Sequence, residues 1–439
     1  MKHIIFFPAV FLITSGISFS QAQESKIDIT KKVLTYFQEN KTDEIVKYFD
    51  DNMKAQLPSE KLSQVWQTLN VQAGKFKEAS DIETQEVQGS EVVVYTCIFE
   101  KANLDLRLSF DPNNKINGMF FVPSKKKRIN ENKPVLIEND LFREESINVI
   151  TGDFSLPGIL TLPKGHGSFP IVVLVHGSGP GDMHASIGPS NPFQDIARGL
   201  ASRGIASIRY DKRTKVYGIN SAKNYNTITV LQETIEDAIS AAEIAKRIKN
   251  ADSKKVFIIG HSLGGMLAPR IAESHPELSG IIMMAGNARP LEDLIIEQFN
   301  YLFSLDGISE EEQRELDNMQ VKVANVKSLN EKDSHNLPFN MPMSYWKDLK
   351  NYDPVETIQE IHNDILILQG ERDYQVTMED FAIWKKALNN RSNATFKSYA
   401  KLNHFFFEGT GPSVPMEYQT ESHIPDYVIQ DIADWIKEN

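Results

Sequence analysis

The stretch that most constrains this chain is Lys254–Gly265, K-K-V-F-I-I-G-H-S-L-G-G. A short apolar run, Val256–Ile259, ends abruptly at Gly260-His261-Ser262-Leu263-Gly264-Gly265. An apolar helical pattern follows from Met266 to Ala272. A buried strand, a sharp turn and a helix in that order form the setting in which the serine of G-x-S-x-G is lifted out of the backbone as a nucleophile. Gly260 and Gly264 leave room for so tight a bend. A turn serine that merely caps the next helix is the plainer alternative. The flanking strand and helix, with Gly265, favour the nucleophile.

A serine hydroxyl is barely nucleophilic near neutrality and needs a base, itself oriented by an acid. On sheets with this turn the acid follows the serine in the chain and the histidine comes last. Five histidines lie downstream: His275, His335, His362, His404 and His423. His404, in Leu402-Asn403-His404-Phe405, follows the predicted strand Thr395–Ser398. The carboxyl ends of such strands are where sites collect, so His404 is the expected base. The preceding strand, Ile365–Leu368, runs into Gln369-Gly370-Glu371-Arg372-Asp373. Asp373 is the expected acid, with Glu371, Glu379 and Asp380 as weaker alternatives. Oxyanion donors are expected from the Leu263 N–H and from His176-Gly177-Ser178-Gly179-Pro180. In that loop Ser178 is the first choice and Gly177 or Gly179 the fallback. The loop lacks the Lys-Ser/Thr pair of a phosphate loop.

The rest of the chain predicts an α/β architecture: a doubly wound, mainly parallel sheet, preceded by a small α+β domain. At 439 residues two domains are expected. Residues 1–22 combine Lys2, the apolar run Ile4–Phe19 and Ser20-Gln21-Ala22. This is the pattern of an export signal cleaved after Ala22, and it is short for a membrane span. The expected location is secreted or periplasmic, with no membrane anchor after cleavage. The single cysteine, Cys97, excludes an intrachain disulfide and reads as a buried strand residue. A net charge of −12 argues against nucleic acid as a partner.

Residues 23–123 show three helical patterns, Ile27–Asn40, a helix from Thr42 through Phe49, and one opened by Pro58-Ser59-Glu60. Strands follow at Ile82–Val87, Val92–Phe99, Leu104–Phe110 and Ile116–Val122. That order resembles NTF2-like domains. Residues 124–145 read as a basic, polar linker, and 146–439 as the sheet domain. Ile228, Leu231, Ile235, Ala238, Ala242 and Ala245 predict one long helix. The stretch between Met284 and Ile365 exceeds a single crossover. Residues 287–355 are expected to form a helical lid, in which Tyr345 and Trp346 are candidate substrate contacts, with Gly177 beside the serine.

Taken together, H-G-S-G-P, G-H-S-L-G-G, Q-G-E-R-D-Y-Q-V and L-N-H-F resemble the α/β-hydrolase family across Ser146–Asn439. More narrowly, the chain is similar to secreted bacterial carboxylesterases with a small N-terminal domain. The resemblance implies a small-molecule ester substrate with a short acyl group, an acyl-enzyme, and neither cofactor nor metal. Oligomeric state is not implied either way. The family's D-x-R-G-x-G signature is altered here to Asp211-Lys212-Arg213-Thr214-Lys215. Arg213 is expected either to bind a substrate carboxylate or to brace its loop. Two rival readings are a serine peptidase of prolyl or acylaminoacyl type and a non-catalytic binding protein on a hydrolase scaffold. The N-terminal region is too short for the propeller that gates such peptidases.

Overall fold

The computed structural model describes residues 25–87, 90–100, 102–124, 135–165, 167–329 and 336–439. The expected export segment and residues 125–134 of the expected linker lie outside them. The chain divides into two compact units, Met1–Lys133 and Pro134–Asn439.

In the first unit, helices α1 (Lys26–Gln38), α2 (Thr42–Val46), α3 (Asp51–Gln56) and α4 (Ser59–Gln72) precede an antiparallel sheet. Its strands are β1 (Phe76–Val87), β2 (Ser90–Phe99), β3 (Asn103–Phe110) and β4 (Ile116–Pro123), in that order. The expected second helix, Thr42 through Phe49, ends at Val46, and α3 is a further short helix beyond it. Asp50 caps α3 by accepting the Met53 N–H at 2.7 Å, and Phe49 instead bridges to Ile116. β1 starts at Phe76, earlier than its alternation predicts, because register shifts between Phe76 and Ile82 interrupt the pattern. Phe37, Trp66 and Phe99 join Leu106 and Leu108 in the core between helices and sheet.

The second unit carries an eight-stranded sheet. In chain order its strands are β5 (Phe142–Thr151), β6 (Phe154–Pro163), β7 (Phe169–Val175), β8 (Ala206–Tyr210), β9 (Ala251–His261), β10 (Gly280–Met284), β11 (Asp364–Gly370) and β12 (Ala394–Tyr399). Their order across the sheet is β12-β11-β10-β9-β7-β8-β6-β5. From β12 to β8 all pairs are parallel, and β6 and β5 join antiparallel, so the expected mainly parallel sheet is present. β5 begins inside the segment expected as linker.

Along β7, Ile171, Val173 and Val175 face one core while Val172 and Leu174 face the other. That alternation is why helices cover both faces. The short α6 (Arg213–Tyr217) follows β8, and α7 (Glu236–Ala245), α8 (Leu263–Ser274) and α13 (Met378–Ala387) pack on the first face. α5 (Pro192–Ala201) and α14 (Asp426–Glu438) pack on the second. The expected long helix starts instead as a π-helical turn, Leu231–Ile235, before α7. The widened turn turns polar Glu233 inward. Between β10 and β11 the chain forms α9 (Leu291–Ser304), α10 (Glu310–Ser328), α11 (Met343–Lys350) and α12 (Pro354–Glu360).

The chain passes from β7 to β8 on one side, then returns to lay β9 on the other side of β7. The switch point of the sheet therefore lies between the carboxyl ends of β7 and β9, where open α/β sheets form their crevice.

Candidate active site

β9 delivers Ser262 to that crevice. Ser262 sits between strand and α8 at φ 56°, ψ −121°, a conformation strongly disfavoured for a side chain with a Cβ. The turn is held from both ends. Ser262 N–H donates to Met284 C=O at 2.9 Å, and Met266 N–H donates to Ser262 C=O at 3.0 Å. The turn closes only because its glycines lack side chains, since a Cβ on Gly260 would lie 2.1 Å from Gly264 O. Leu263 opens α8, and the first N–H groups of a helix have no partner within it.

β7 delivers the second loop to the same point. The Gly177 backbone packs so tightly on Ser262 that a Cβ there would lie 3.0 Å from its Cβ and 3.4 Å from its Oγ. Ser178 follows, exposed above it. The loop is anchored below by His176, whose Nε2 meets Asp182 C=O at 2.8 Å. Burial, and then the Lys212 ammonium, hold this imidazole down to about 4, so it is neutral near pH 7. Met183 N–H donates to Asp211 Oδ1 at 2.7 Å. Arg213 is committed elsewhere. Its guanidinium grips Asp237 through two hydrogen bonds, of 2.8 and 2.6 Å, and lies over the Phe154 ring. The bracing alternative for Arg213 therefore holds.

The loops after β11 and β12 bring Asp373 and His404 together. His404 Nδ1 and Asp373 Oδ2 are 2.7 Å apart, with both side chains almost fully buried. A ring nitrogen facing a carboxylate carries the proton, which leaves Nε2 with its lone pair. Asp373 is itself over-determined. Its Oδ1 accepts the N–H groups of Gln375 (2.7 Å) and Val376 (3.0 Å), and its Oδ2 also accepts Gln369 Nε2 at 3.1 Å. Asn403 shapes the histidine loop by accepting the N–H groups of Phe405 and Phe407, each at 3.1 Å.

The other candidates are engaged elsewhere. Glu371 accepts from Ser398, Glu379 pairs with Arg289, and Asp380 caps Ala288 and Arg289. His423 is exposed beside Asp195, His362 is exposed ahead of β11, and His275 ends α8 beside Glu243. His335 lies outside the described residues. Among the described residues, Glu243, His275 and Glu277 are spaced to hold a cation. Lys246 Nζ already bonds both carboxylates, at 3.0 and 2.8 Å.

Tyr345 and Trp346, expected against substrate, are buried in the domain core instead. The Tyr345 hydroxyl donates to Glu233 at 3.2 Å. The helix of the insertion that meets the site is α9. Gln298 donates to Gln375 C=O at 3.0 Å, and Tyr301 stacks on Tyr374, the neighbour of Asp373.

Two contributions escaped the motif reading. His261 Nε2 meets the His404 C=O at 2.8 Å, which links the residue before Ser262 to the histidine loop. Burial, then the neighbouring His404, hold His261 down to about 3, so it is a neutral donor. Lys212 Nζ donates to Gly177 C=O at 2.9 Å and pairs with Glu233 at 3.0 Å. Both contacts join loops far apart in sequence, so no local spacing announces them.

The family model described as serine aminopeptidase, S33, matches residues 169–409. The chain belongs to the α/β-hydrolase family. A second model, for a protein of unknown function (DUF3887), matches residues 30–119. Esterase EstD of Thermotoga maritima is 37% identical over 388 residues, which is 88% of this chain and 89% of that protein. Among solved structures, a Pyrococcus furiosus esterase is 14% identical, covers 68% of this chain and 91% of its own, and superposes with a TM-score of 0.43. A hyperthermophilic esterase from Pyrobaculum calidifontis is 16% identical over 67% of this chain and 85% of its own, with a TM-score of 0.45.

Proposed function

We propose that this hydrolase is an exported carboxylesterase that cleaves short-acyl esters through Ser262, His404 and Asp373. The carrying observation is the buried 2.7 Å contact of His404 with Asp373, formed on the loop that His261 ties to the strained Ser262 turn. Ser262 Oγ attacks the ester carbonyl as its proton passes to His404 Nε2. Asp373 holds the ring and balances the imidazolium. The oxyanion is received by the N–H groups of Ser178 and Leu263. His404 then returns the proton to the leaving alcohol, leaving an acyl group on Ser262. Water, deprotonated by the same imidazole, releases the acid.

Likeness to an esterase over most of the chain supports this reading. Export rests on the pattern of residues 1–22. The test is hydrolysis of p-nitrophenyl esters from acetate to dodecanoate, with Ser262→Ala alongside. Turnover that peaks at short chains and vanishes in the variant is expected. A peak at long chains refutes the short-acyl part, and activity retained by the variant refutes the nucleophile. The serine aminopeptidase description of the matched family favours a second reading, amide cleavage. Turnover of amino-acid p-nitroanilides with no ester turnover would select it.

A further inference from the structure

Lys212 is a buried lysine tied to one loop through both its main chain and its side chain. Its N–H donates to Gly181 C=O at 3.0 Å, and its ammonium donates to Gly177 C=O at 2.9 Å. The ammonium is aimed by Glu233, 3.0 Å away. Glu233 is fixed in turn by the hydroxyls of Thr214, Thr234 and Tyr345, each at 3.2 Å. A buried ion pair is costly to form and weak evidence of stabilisation by itself. This one ends on the Gly177 peptide, which packs against the Ser262 side chain.

That peptide joins Gly177 to Ser178. In a trans peptide the C=O and the following N–H point in opposite directions. With the Gly177 carbonyl turned down to Lys212, the Ser178 N–H is turned the other way, above the buried side of the loop. Glycine at 177 leaves the plane free to rotate unless something holds it. A rotated plane would present a carbonyl oxygen to the developing oxyanion in place of a donor.

The geometry points to Lys212 as a positioning residue that sets the oxyanion-binding orientation of the Gly177–Ser178 peptide, with Glu233 as its aim. The inference rests on the reading of Ser262 as nucleophile. The ammonium does not touch substrate. It holds the peptide plane and polarises the amide, which makes the N–H a stronger donor. The altered Asp211-Lys212-Arg213 signature thereby gains a role in the reaction.

The test compares wild type with Lys212→Met, Lys212→Arg and the double variant Lys212→Met/Glu233→Gln, which leaves no unpaired buried charge. Each is measured for kcat and KM on p-nitrophenyl acetate and for affinity to a boronic acid that forms a tetrahedral adduct on serine. Losing one oxyanion donor lowers kcat by about 10²-fold or more. A loss of that order is expected in the double variant, with KM unchanged and boronate affinity reduced in parallel. Lys212→Arg is expected to recover much of it. A folded double variant with wild-type kcat, or one that loses kcat but keeps boronate affinity, overturns the proposal. A crystal structure of the wild-type boronate adduct needs no variant. Ser178 N–H on the boronate oxygen, with Lys212 Nζ still on Gly177 C=O, supports it, and Lys212 Nζ on the boronate oxygen refutes it. If wild type forms no adduct at Ser262, the nucleophile reading falls and this proposal with it.

Discussion

Replacing Asp373 by Asn exchanges one carboxylate oxygen for an NH2 and should disable His404 as base through its tautomer. Asp373 Oδ1 faces two N–H donors, Gln375 and Val376, at 2.7 and 3.0 Å. An asparagine must therefore place its oxygen there and its NH2 where Oδ2 stood. That NH2 then faces His404 Nδ1, which must become an acceptor, so the ring proton moves to Nε2. The lone pair that would take the Ser262 proton is gone. A wrong tautomer of this kind costs on the order of 10⁴ in kcat, about 5 kcal/mol of barrier. The same NH2 also opposes Gln369 Nε2, a donor that now meets a donor where 3.1 Å separated it from an acceptor. That amide keeps the Val376 and Gly370 carbonyls, at 2.8 and 3.2 Å, so the fold should lose only the net worth of one hydrogen bond, about 0.5–1.5 kcal/mol. Steady-state turnover of p-nitrophenyl acetate and a thermal melt separate the two effects. A folded Asp373→Asn variant with kcat within tenfold of wild type would refute the tautomer argument and the assignment of Asp373.

Ser262→Gly should melt higher than Ser262→Ala, because glycine relieves a backbone held at φ 56°, worth about 1–3 kcal/mol less its extra unfolded-state freedom; equal or reversed melting temperatures would argue against a strained turn. Glu144→Gln should destabilise by about 3–5 kcal/mol in a urea melt, since fully buried Arg209 loses its partner. In wild type the same carboxyl is held down to about 2 against an ordinary 4.5: burial alone would raise it, but the Arg198 and Arg209 hydrogen bonds prevail. Its contribution is thus complete above pH 4.5 and is lost as pH falls toward 2. The stability profile of Glu144→Gln should be flatter across that window, and an unchanged slope would refute the pairing. Cys97, whose thiol burial pushes up to about 12, should resist iodoacetamide at pH 8 in the native state and react in urea. Native-state alkylation would contradict its burial.

Much of the fold was legible because its signals are local. Apolar runs bounded by turns placed β7, β9, β10 and β11, and G-x-S-x-G between a strand and a helix placed Ser262. Chain order and position after a strand pointed to Asp373 and His404, the pair whose side chains lie 2.7 Å apart. Where competing local chemistry decides, the reading failed. Phe49 left the expected second helix for a bridge to Ile116 while Asp50 capped an unexpected helix, α3, and a π-helical turn at Leu231–Ile235 replaced the start of a helix whose apolar spacing looked regular. Tyr345 and Trp346 show the limit for side chains, since an aromatic in an insertion reads alike whether it lines a pocket or fills a core.

The sequence by itself determined what is written in periodicity and in short spacing: an alternating α/β domain, a small domain before it, and which groups are candidates for the reaction. Only the tertiary structure decided how those groups are held. Whether His404 lies on Asp373, whether His261 reaches the His404 carbonyl, and whether Lys212 turns the Gly177 peptide all depend on where β7, β9, β11 and β12 end relative to one another. Those positions follow from the order of strands across the sheet, set by burial on both faces at once, and no window of neighbouring residues contains it.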